Sequence, residues 1–162
     1  MKNKLKILIT GSSGFIGTYF YQRFKQDNWD VLGIDIRKPS THQNFKQIDI
    51  KDKKLLEKNI KIFSPEIVIH LAARTDLGVN DSIENFKDNT LGTKNIVDIC
   101  NSTNSVKKLI FTSTILVCPV SYNPKSDTEF NPQNPYGRSK VYGEKYIRKT
   151  FKKSWIILRP TS

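Results

Sequence analysis

Three glycines at intervals of three, Gly11, Gly14 and Gly17, lie between a short apolar run and a helical pattern. The run Lys6-Ile7-Leu8-Ile9-Thr10 reads as a buried strand. Phe15, Ile16, Tyr19, Phe20 and Phe24 then fall on one side at helical spacing, so a helix begins directly after the turn. A helix start offers unpaired N–H groups and a partial positive charge, and glycine lets the backbone approach a ligand closely. Strand, glycine turn and helix start together suit a phosphate group. The spacing is G-x-x-G-x-x-G and departs from the G-x-G-x-x-G of the general dinucleotide fingerprint. The plain alternative is a tight strand-to-helix turn that binds nothing.

The rest of the chain supplies context. Asp30–Asp35 reads as a second strand ending in an acid. In a nucleotide-binding βαβ unit, an acid about twenty residues past the glycines accepts hydrogen bonds from the adenosine ribose. Asp35 lies 18 residues beyond Gly17. Its carboxylate would repel a 2′-phosphate, which favours NAD over NADP, whereas Arg37 nearby could accommodate one. Taken singly, Asp35 also reads as a strand-end turn residue.

Phe45 to Ile48 is expected to form a third strand, Lys51 to Phe63 a helix ended by Pro65, and Glu66 to Ala73 a fourth strand closing in small residues. His70 reads as a structural strand-end histidine. Asn80 to Asn101 is expected as one long helix or a broken pair, with Phe86, Leu91, Ile96, Val97 and Cys100 inward. Lys107 to Thr112 is a fifth strand, ending in the hydroxyl cluster Thr112-Ser113-Thr114. Val117 to Pro135 holds four prolines and reads as a long loop. A helix resumes at Tyr136, and Trp155 to Arg159 is a sixth strand. Strands alternating with helices argue for an α/β fold with a parallel sheet covered on both faces.

With 162 residues the chain fits one domain and can bury a real core. The net charge of +12 invites a nucleic-acid partner, but the lysines are scattered over expected helix surfaces and no nucleic-acid motif accompanies them. The reading is therefore no nucleic acid and no membrane. The absence of a signal-peptide pattern leads us to expect a cytoplasmic protein. Cys100 and Cys118 lack metal-ligand spacing and read as plain thiols, with no metal site.

Tyr136 and Lys140 are four residues apart on a helix and so project from one face. A free tyrosine titrates near about pH 10 and is a poor base at neutral pH. A nearby ammonium is expected to stabilise the phenolate and lower its pKa, with an oxidised nicotinamide adding a second positive charge. Tyr136 could then take the proton of a substrate hydroxyl while hydride leaves the same carbon. Alone, the pair also reads as an ordinary surface pair.

Together these features resemble the extended short-chain dehydrogenase/reductase family, in particular its NAD-dependent nucleotide-sugar epimerases and dehydratases. The resemblance covers essentially the whole chain. It rests on the segment Thr10 to Gly17, Asp35, Asp49-Ile50, His70-Leu71-Ala72-Ala73, Asn89, Thr112-Ser113-Thr114, Tyr136-Gly137-Arg138-Ser139-Lys140 and Leu158-Arg159-Pro160. It implies a Rossmann-type doubly wound sheet, an NAD cofactor and a nucleotide-sugar substrate. Gly11, Ser13, Gly14, Phe15, Ile16 and Gly17 are implied at the pyrophosphate. Asp35, with Ile36 and Arg37, is implied at the adenosine ribose, and Asp49 and Ile50 around adenine. Leu71, Ala72, Ala73, Asn89 and Thr112 are implied along the cofactor. Thr114 is implied to bind the reacting hydroxyl, Tyr136 to act as base, and Lys140 to be its partner and hold the nicotinamide ribose. Family dimers often pack through the helices bearing Asn89 and Tyr136, so a homodimer is expected.

Two departures qualify the resemblance. Cys118-Pro119 stands where the family usually has Tyr-Gly. The family also continues past Arg159-Pro160 into a further strand and a lobe that binds the nucleotide-sugar. Residues 1–162 therefore read as one dinucleotide-binding domain ending after the sixth strand: a fragment, a natural truncation, or a half that needs a partner. Two other readings remain open. One is a reductase or dehydrogenase of the same superfamily acting on a non-sugar alcohol. The other is an NAD-binding module without turnover.

Overall fold

The computed structural model describes residues 4–77 and 82–161. Its strands are β1 (Lys6–Thr10), β2 (Asp30–Asp35), β3 (Phe45–Gln47), β4 (Ile67–His70), β5 (Lys108–Thr112) and β6 (Ser154–Leu158). All pair in parallel, in the order β3-β2-β1-β4-β5-β6. This is the doubly wound order, in which strand sequence reverses beside β1 and ligands bind beyond the carboxyl ends of the strands. The helices are α1 (Phe15–Gln26), α2 (Lys53–Phe63), α3 (Thr93–Ser102) and α4 (Pro135–Thr150).

Alternation along the strands builds a core on each face. Ile7, Ile9, Val31 and Ile69 pack with Tyr21, Phe20 and Phe24 of α1. Leu8, Leu32, Ile34, Val68, Leu109 and Phe111 meet Leu56 and Ile60 of α2, Ile96 and Val97 of α3 and Ile147 of α4. Full burial of such a side chain contributes about 1.5–3 kcal/mol.

Local chemistry sets the helix boundaries. The Asp52 side chain caps α2 by accepting from Leu55 N at 3.0 Å, and Ser64, at φ 53°, ends it in the left-handed region. Asn134 caps α4 by accepting from Gly137 N at 2.6 Å, with Pro135 opening the first turn.

Three expectations change. In α1 the buried positions are Gly17 and Tyr21, with Phe20 and Phe24 beside them, while Phe15 is 97% exposed and Ile16 44%. The reason is Gly17: a Cβ there would lie 2.1 Å from the Gly11 carbonyl oxygen, so this side of the helix lies on the turn. The fourth strand ends at His70, before the small residues. The segment before β5, expected as one long helix or a broken pair, is broken, into a 3-10 turn (Ile83–Phe86), a π turn (Asp88–Gly92) and then α3. Its expected start at Asn80 lies outside the described residues. The π turn inserts a residue into the helical repeat, turning Asn89 inward and leaving Leu91 exposed.

Among the described residues, no helix is long and apolar enough to cross a membrane, and no cluster suits a metal ion. Both cysteines are buried free thiols, and burial pushes the Cys100 thiol up to about 12.

Candidate active site

The glycine turn is tightly tied. Gly11, at φ +72°, donates from its N–H to Ile34 O at 2.8 Å, and Gly14 N donates to Gly11 O at 3.1 Å. Unlike α2 and α4, α1 has no side-chain cap at its first turn, where the exposed Phe15 and Ile16 stand. The first N–H groups of the helix are thus left for a group outside the protein chain, the arrangement that favours an anion.

Asp35 is nearly buried at the end of β2, beside this turn. One carboxylate oxygen accepts from Ser13 N at 3.0 Å and the other from Arg37 N at 2.9 Å. The Ser13 hydroxyl donates to Arg37 O at 2.6 Å, which joins the two segments a second time. Ile36 and Arg37 are exposed at the lip.

Farther along the same sheet end, Asp49 accepts from Lys51 N at 2.8 Å and pairs with the Lys51 ammonium at 3.0 Å. Burial pushes the Asp49 carboxyl up, but these bonds outweigh it and hold the group below its ordinary range. Lys51 also pairs with Asp88, and Ile50 O accepts from the Asn95 amide at 3.0 Å. This corner is therefore fixed to the π turn and α3.

Beyond β4, Leu71 N donates to Thr10 O at 3.1 Å, and Ala72 and Ala73 follow half-buried. The amide of buried Asn89 grips the next residue. Its oxygen accepts from Arg74 N at 2.8 Å, and its nitrogen donates to Arg74 O at 2.9 Å and to Ser139 Oγ at 2.8 Å. Asn89 thus ties the loop after β4 to α4. His70, enclosed in the core, meets the Thr10 hydroxyl at 2.7 Å and the Thr93 hydroxyl at 3.0 Å. Burial and the Lys140 charge push it down to about 3, so it is a neutral structural link.

The candidate catalytic groups meet at the end of β5. A Cβ on Gly137 would fall 2.2 Å from Leu116 O, so α4 starts directly against the segment after Thr114. Thr114 is buried and caps the 3-10 turn Ile115–Val117 by accepting from Leu116 N at 3.1 Å. The Lys140 ammonium, almost fully buried, donates to Thr112 O at 2.8 Å and lies 5.9 Å from the centre of the Tyr136 ring. Burial pushes Lys140 down to about 8, against the opposing pull of Glu144. For Tyr136 the expectation is reversed. Burial raises the phenol above its ordinary value, and the hydrogen bond with Thr114 opposes this only in part. The lowering influence on the phenol comes from Thr114, and it does not offset the burial.

Sequence reasoning passed over Glu144. Fully buried one turn after Lys140, it accepts from Ser113 Oγ at 2.6 Å, and its two oxygens take Arg159 Nε at 2.8 Å and Nη2 at 2.7 Å. The available signal was an acid four residues after Lys140 on the same helix face. The network joins the hydroxyl cluster of β5, α4 and the end of β6.

Residues 7–162 match the NAD dependent epimerase/dehydratase family, and the chain belongs to that family. A putative UDP-glucose 4-epimerase of Methanocaldococcus jannaschii is 35% identical over 155 residues, which cover 88% of this chain and 50% of that protein. Methionine adenosyltransferase 2 subunit beta of Bos taurus is 29% identical, over 88% of this chain and 42% of its own length. Among solved structures, the UDP-glucose 4-epimerase of Thermus thermophilus in complex with NAD superposes with a TM-score of 0.84 at 26% identity, over 96% of this chain and 54% of that one. The chain thus spans about half the length of the curated relatives it matches.

Proposed function

We propose that this chain is the cofactor-binding and catalytic-dyad portion of an NAD-dependent nucleotide-sugar epimerase or dehydratase. The observation that carries the reading is the meeting of two features at one sheet end. These are an uncapped helix start behind a glycine turn, and a cluster of buried Thr114 and Lys140 with half-buried Tyr136. The donor set fits NAD. The α1 N–H groups suit a pyrophosphate, and the acceptor-only Asp35 carboxylate suits a ribose diol and repels a 2′-phosphate. On this reading Asp49 and Ile50 flank adenine, and the small residues Ala72 and Ala73 accept a flat ring. When bound, NAD supplies a reversible hydride acceptor.

Each residue then has a defined task. Thr114 orients the sugar hydroxyl. Tyr136 takes its proton at the phenolate oxygen and returns it when the carbonyl is reduced. Lys140, anchored on Thr112 O, holds positive charge beneath the phenol and can bond the nicotinamide ribose. Asn89 keeps the loop at Ala72 and Ala73 against α4. The phenol must first lose its own proton; the proton then taken from the sugar hydroxyl is the one returned when the carbonyl is reduced, so the cycle has no net proton change. The relatives named as UDP-glucose 4-epimerases support a UDP-sugar as substrate class. A homodimer through the π turn and α4 is part of the same reading, supported by exposed Leu91 and Tyr142 on those elements.

Titration of the purified protein with NAD and NADP tests the cofactor, with Asp35→Ala alongside. Tighter NAD binding, weakened by the substitution, is expected; a folded protein that binds neither nucleotide overturns the reading. Incubation with UDP-hexoses then tests the reaction, and Tyr136→Phe should abolish interconversion while sparing NAD binding. The similarity to a methionine adenosyltransferase subunit supports a second reading, a dinucleotide-binding subunit without turnover. In that case Tyr136→Phe leaves the protein's function intact.

A further inference from the structure

We infer that His42, in the loop between β2 and β3, is a positioning residue that sets the glycine turn and, through it, the Asp35 carboxylate. This inference rests on the cofactor reading above. It concerns a residue outside the glycine, acid and dyad motifs.

The argument turns on one peptide unit. The Ser12 carbonyl and the Ser13 N–H belong to the same planar group and point to opposite sides of it. The carbonyl accepts from His42 Nε2 at 2.8 Å and from the Thr18 hydroxyl at 3.2 Å. The N–H donates to Asp35 Oδ2 at 3.0 Å. A carbonyl oxygen can only accept, so Nε2 carries the proton. Rotation of the plane away from His42 breaks its bond to Asp35 as well. The second Asp35 oxygen is held by Arg37 N, so the carboxylate has one supported orientation, and half of that support runs through Ser12–Ser13.

His42 itself is firmly placed. Its ring stacks on Tyr21 of α1, with centroids 3.7 Å apart and planes within 12°. The ring also lies close to Gly33, where a Cβ would come 3.0 Å from ring Cδ2. The Tyr21 hydroxyl accepts from Asn44 N at 2.9 Å and lies 3.3 Å from Asn44 O, which pins the loop two residues on. Thr41 Oγ1 stands 3.3 Å from Nδ1, the ring nitrogen left to accept. An imidazole held by stacking on one helix, and donating into the turn that starts that helix, is a strut between the two.

The consequence is one of specificity. The carboxylate of Asp35 distinguishes a ribose diol from a 2′-phosphate only where it is aimed. Loss of the His42 donor should weaken NAD binding about tenfold, the equivalent of one hydrogen bond, and leave NADP binding nearly unchanged. The preference for NAD therefore falls.

Three variants separate the bond from the bulk of the ring: His42→Phe, His42→Gln and His42→Asn. Phenylalanine keeps the stack and loses the donor. Glutamine loses the ring but places an amide N–H near the position of Nε2. Asparagine carries the same amide one methylene short. Dissociation constants for NAD and NADP are measured by calorimetry on each purified protein, with a thermal melt as a check of folding. The expected result is a reduced NAD-to-NADP preference in the Phe and Asn variants and recovery in the Gln variant. Should the Phe variant fail to fold, the Asn–Gln pair makes the same comparison. Equal weakening for both nucleotides in every variant, or no weakening in any, overturns the inference while the cofactor reading stands. Wild-type protein that binds no NAD overturns both.

Discussion

Replacing Lys140 with methionine should make the folded protein more stable at neutral pH and, on the proposed reading, remove its chemistry. The Lys140 ammonium is almost fully buried, and its pKa falls from the ordinary 10.5 to about 8. At about 1.4 kcal/mol per tenfold change in proton affinity, holding the charged form in the fold costs roughly 3 kcal/mol. The sign follows from proton counts. Below about pH 8 both folded and unfolded chains carry the proton, and the full cost is present. Between about 8 and 10.5 the unfolded chain binds more protons than the folded one, so stability rises with pH. Methionine has similar length, packs against the Phe111 ring that the ammonium now faces at 5.0 Å, and carries no charge. The bond to Thr112 O is lost, which takes back about 1 kcal/mol. A net gain of about 2 kcal/mol at pH 7 remains, and it should shrink to nothing near pH 10. Urea unfolding of both proteins at the two pH values, without nucleotide, measures it. A Lys140→Met protein less stable than wild type at pH 7, or a difference independent of pH, would refute the reasoning.

Three further outcomes follow from the same geometry. Gly17→Ala places a Cβ 2.1 Å from the Gly11 carbonyl, so the turn must open; a loss of about 3 kcal/mol in thermal unfolding and of nucleotide binding is expected. Burial pushes His70 down to about 3, so the unfolded chain binds the extra proton between that value and 6.5, and stability falls as pH falls through this window. The loss at pH 4.5 should be roughly 2–3 kcal/mol, and His70→Gln should flatten it, as read by urea midpoints at pH 4.5 and 7. Glu144→Ala leaves the Arg159 guanidinium and Ser113 hydroxyl without their shared acceptor at a fully buried site; a loss of about 3 kcal/mol or more is expected in chemical denaturation.

What the sequence makes legible is what local periodicity encodes. β1, β2 and the glycine turn stand where the alternation of Ile, Leu and Gly places them, and Tyr136 and Lys140 share a helix face because four residues make about one turn. Other features depend on packing between distant segments. The π turn at Asp88–Gly92 has no composition of its own, and it alone decides that Asn89 faces in and Leu91 out. The exposure of Phe15 follows from where Gly17 meets Gly11, a contact between turn and helix that hydrophobic spacing does not record. Glu144 and Arg159 lie 15 residues apart in sequence, and only the parallel return of β6 beside β5 makes them partners. His42 falls in a stretch with no periodicity at all, and its place is visible only once α1 offers Tyr21 for it to stack on.

The dyad carries the sharpest difference between sequence and structure, and it leads to a last prediction. Burial moves both groups toward neutrality, Tyr136 upward and Lys140 down to about 8. Each shift disfavours the ion that base catalysis needs. Thr114 supplies the lowering influence on the phenol, by a hydrogen bond. The folded lobe by itself therefore holds Tyr136 as a protonated phenol at pH 7, and activation must come from a group added to the site. On the proposed reading that group is oxidised NAD, whose nicotinamide brings positive charge into a low-dielectric cluster where screening is weak. The phenol should then titrate at lower pH with NAD present than without it. The difference in phenolate absorbance between wild type and Tyr136→Phe, followed against pH with and without NAD, isolates this one group. A titration that NAD leaves in place, in a protein that binds NAD, would remove the electrostatic account of activation by the cofactor.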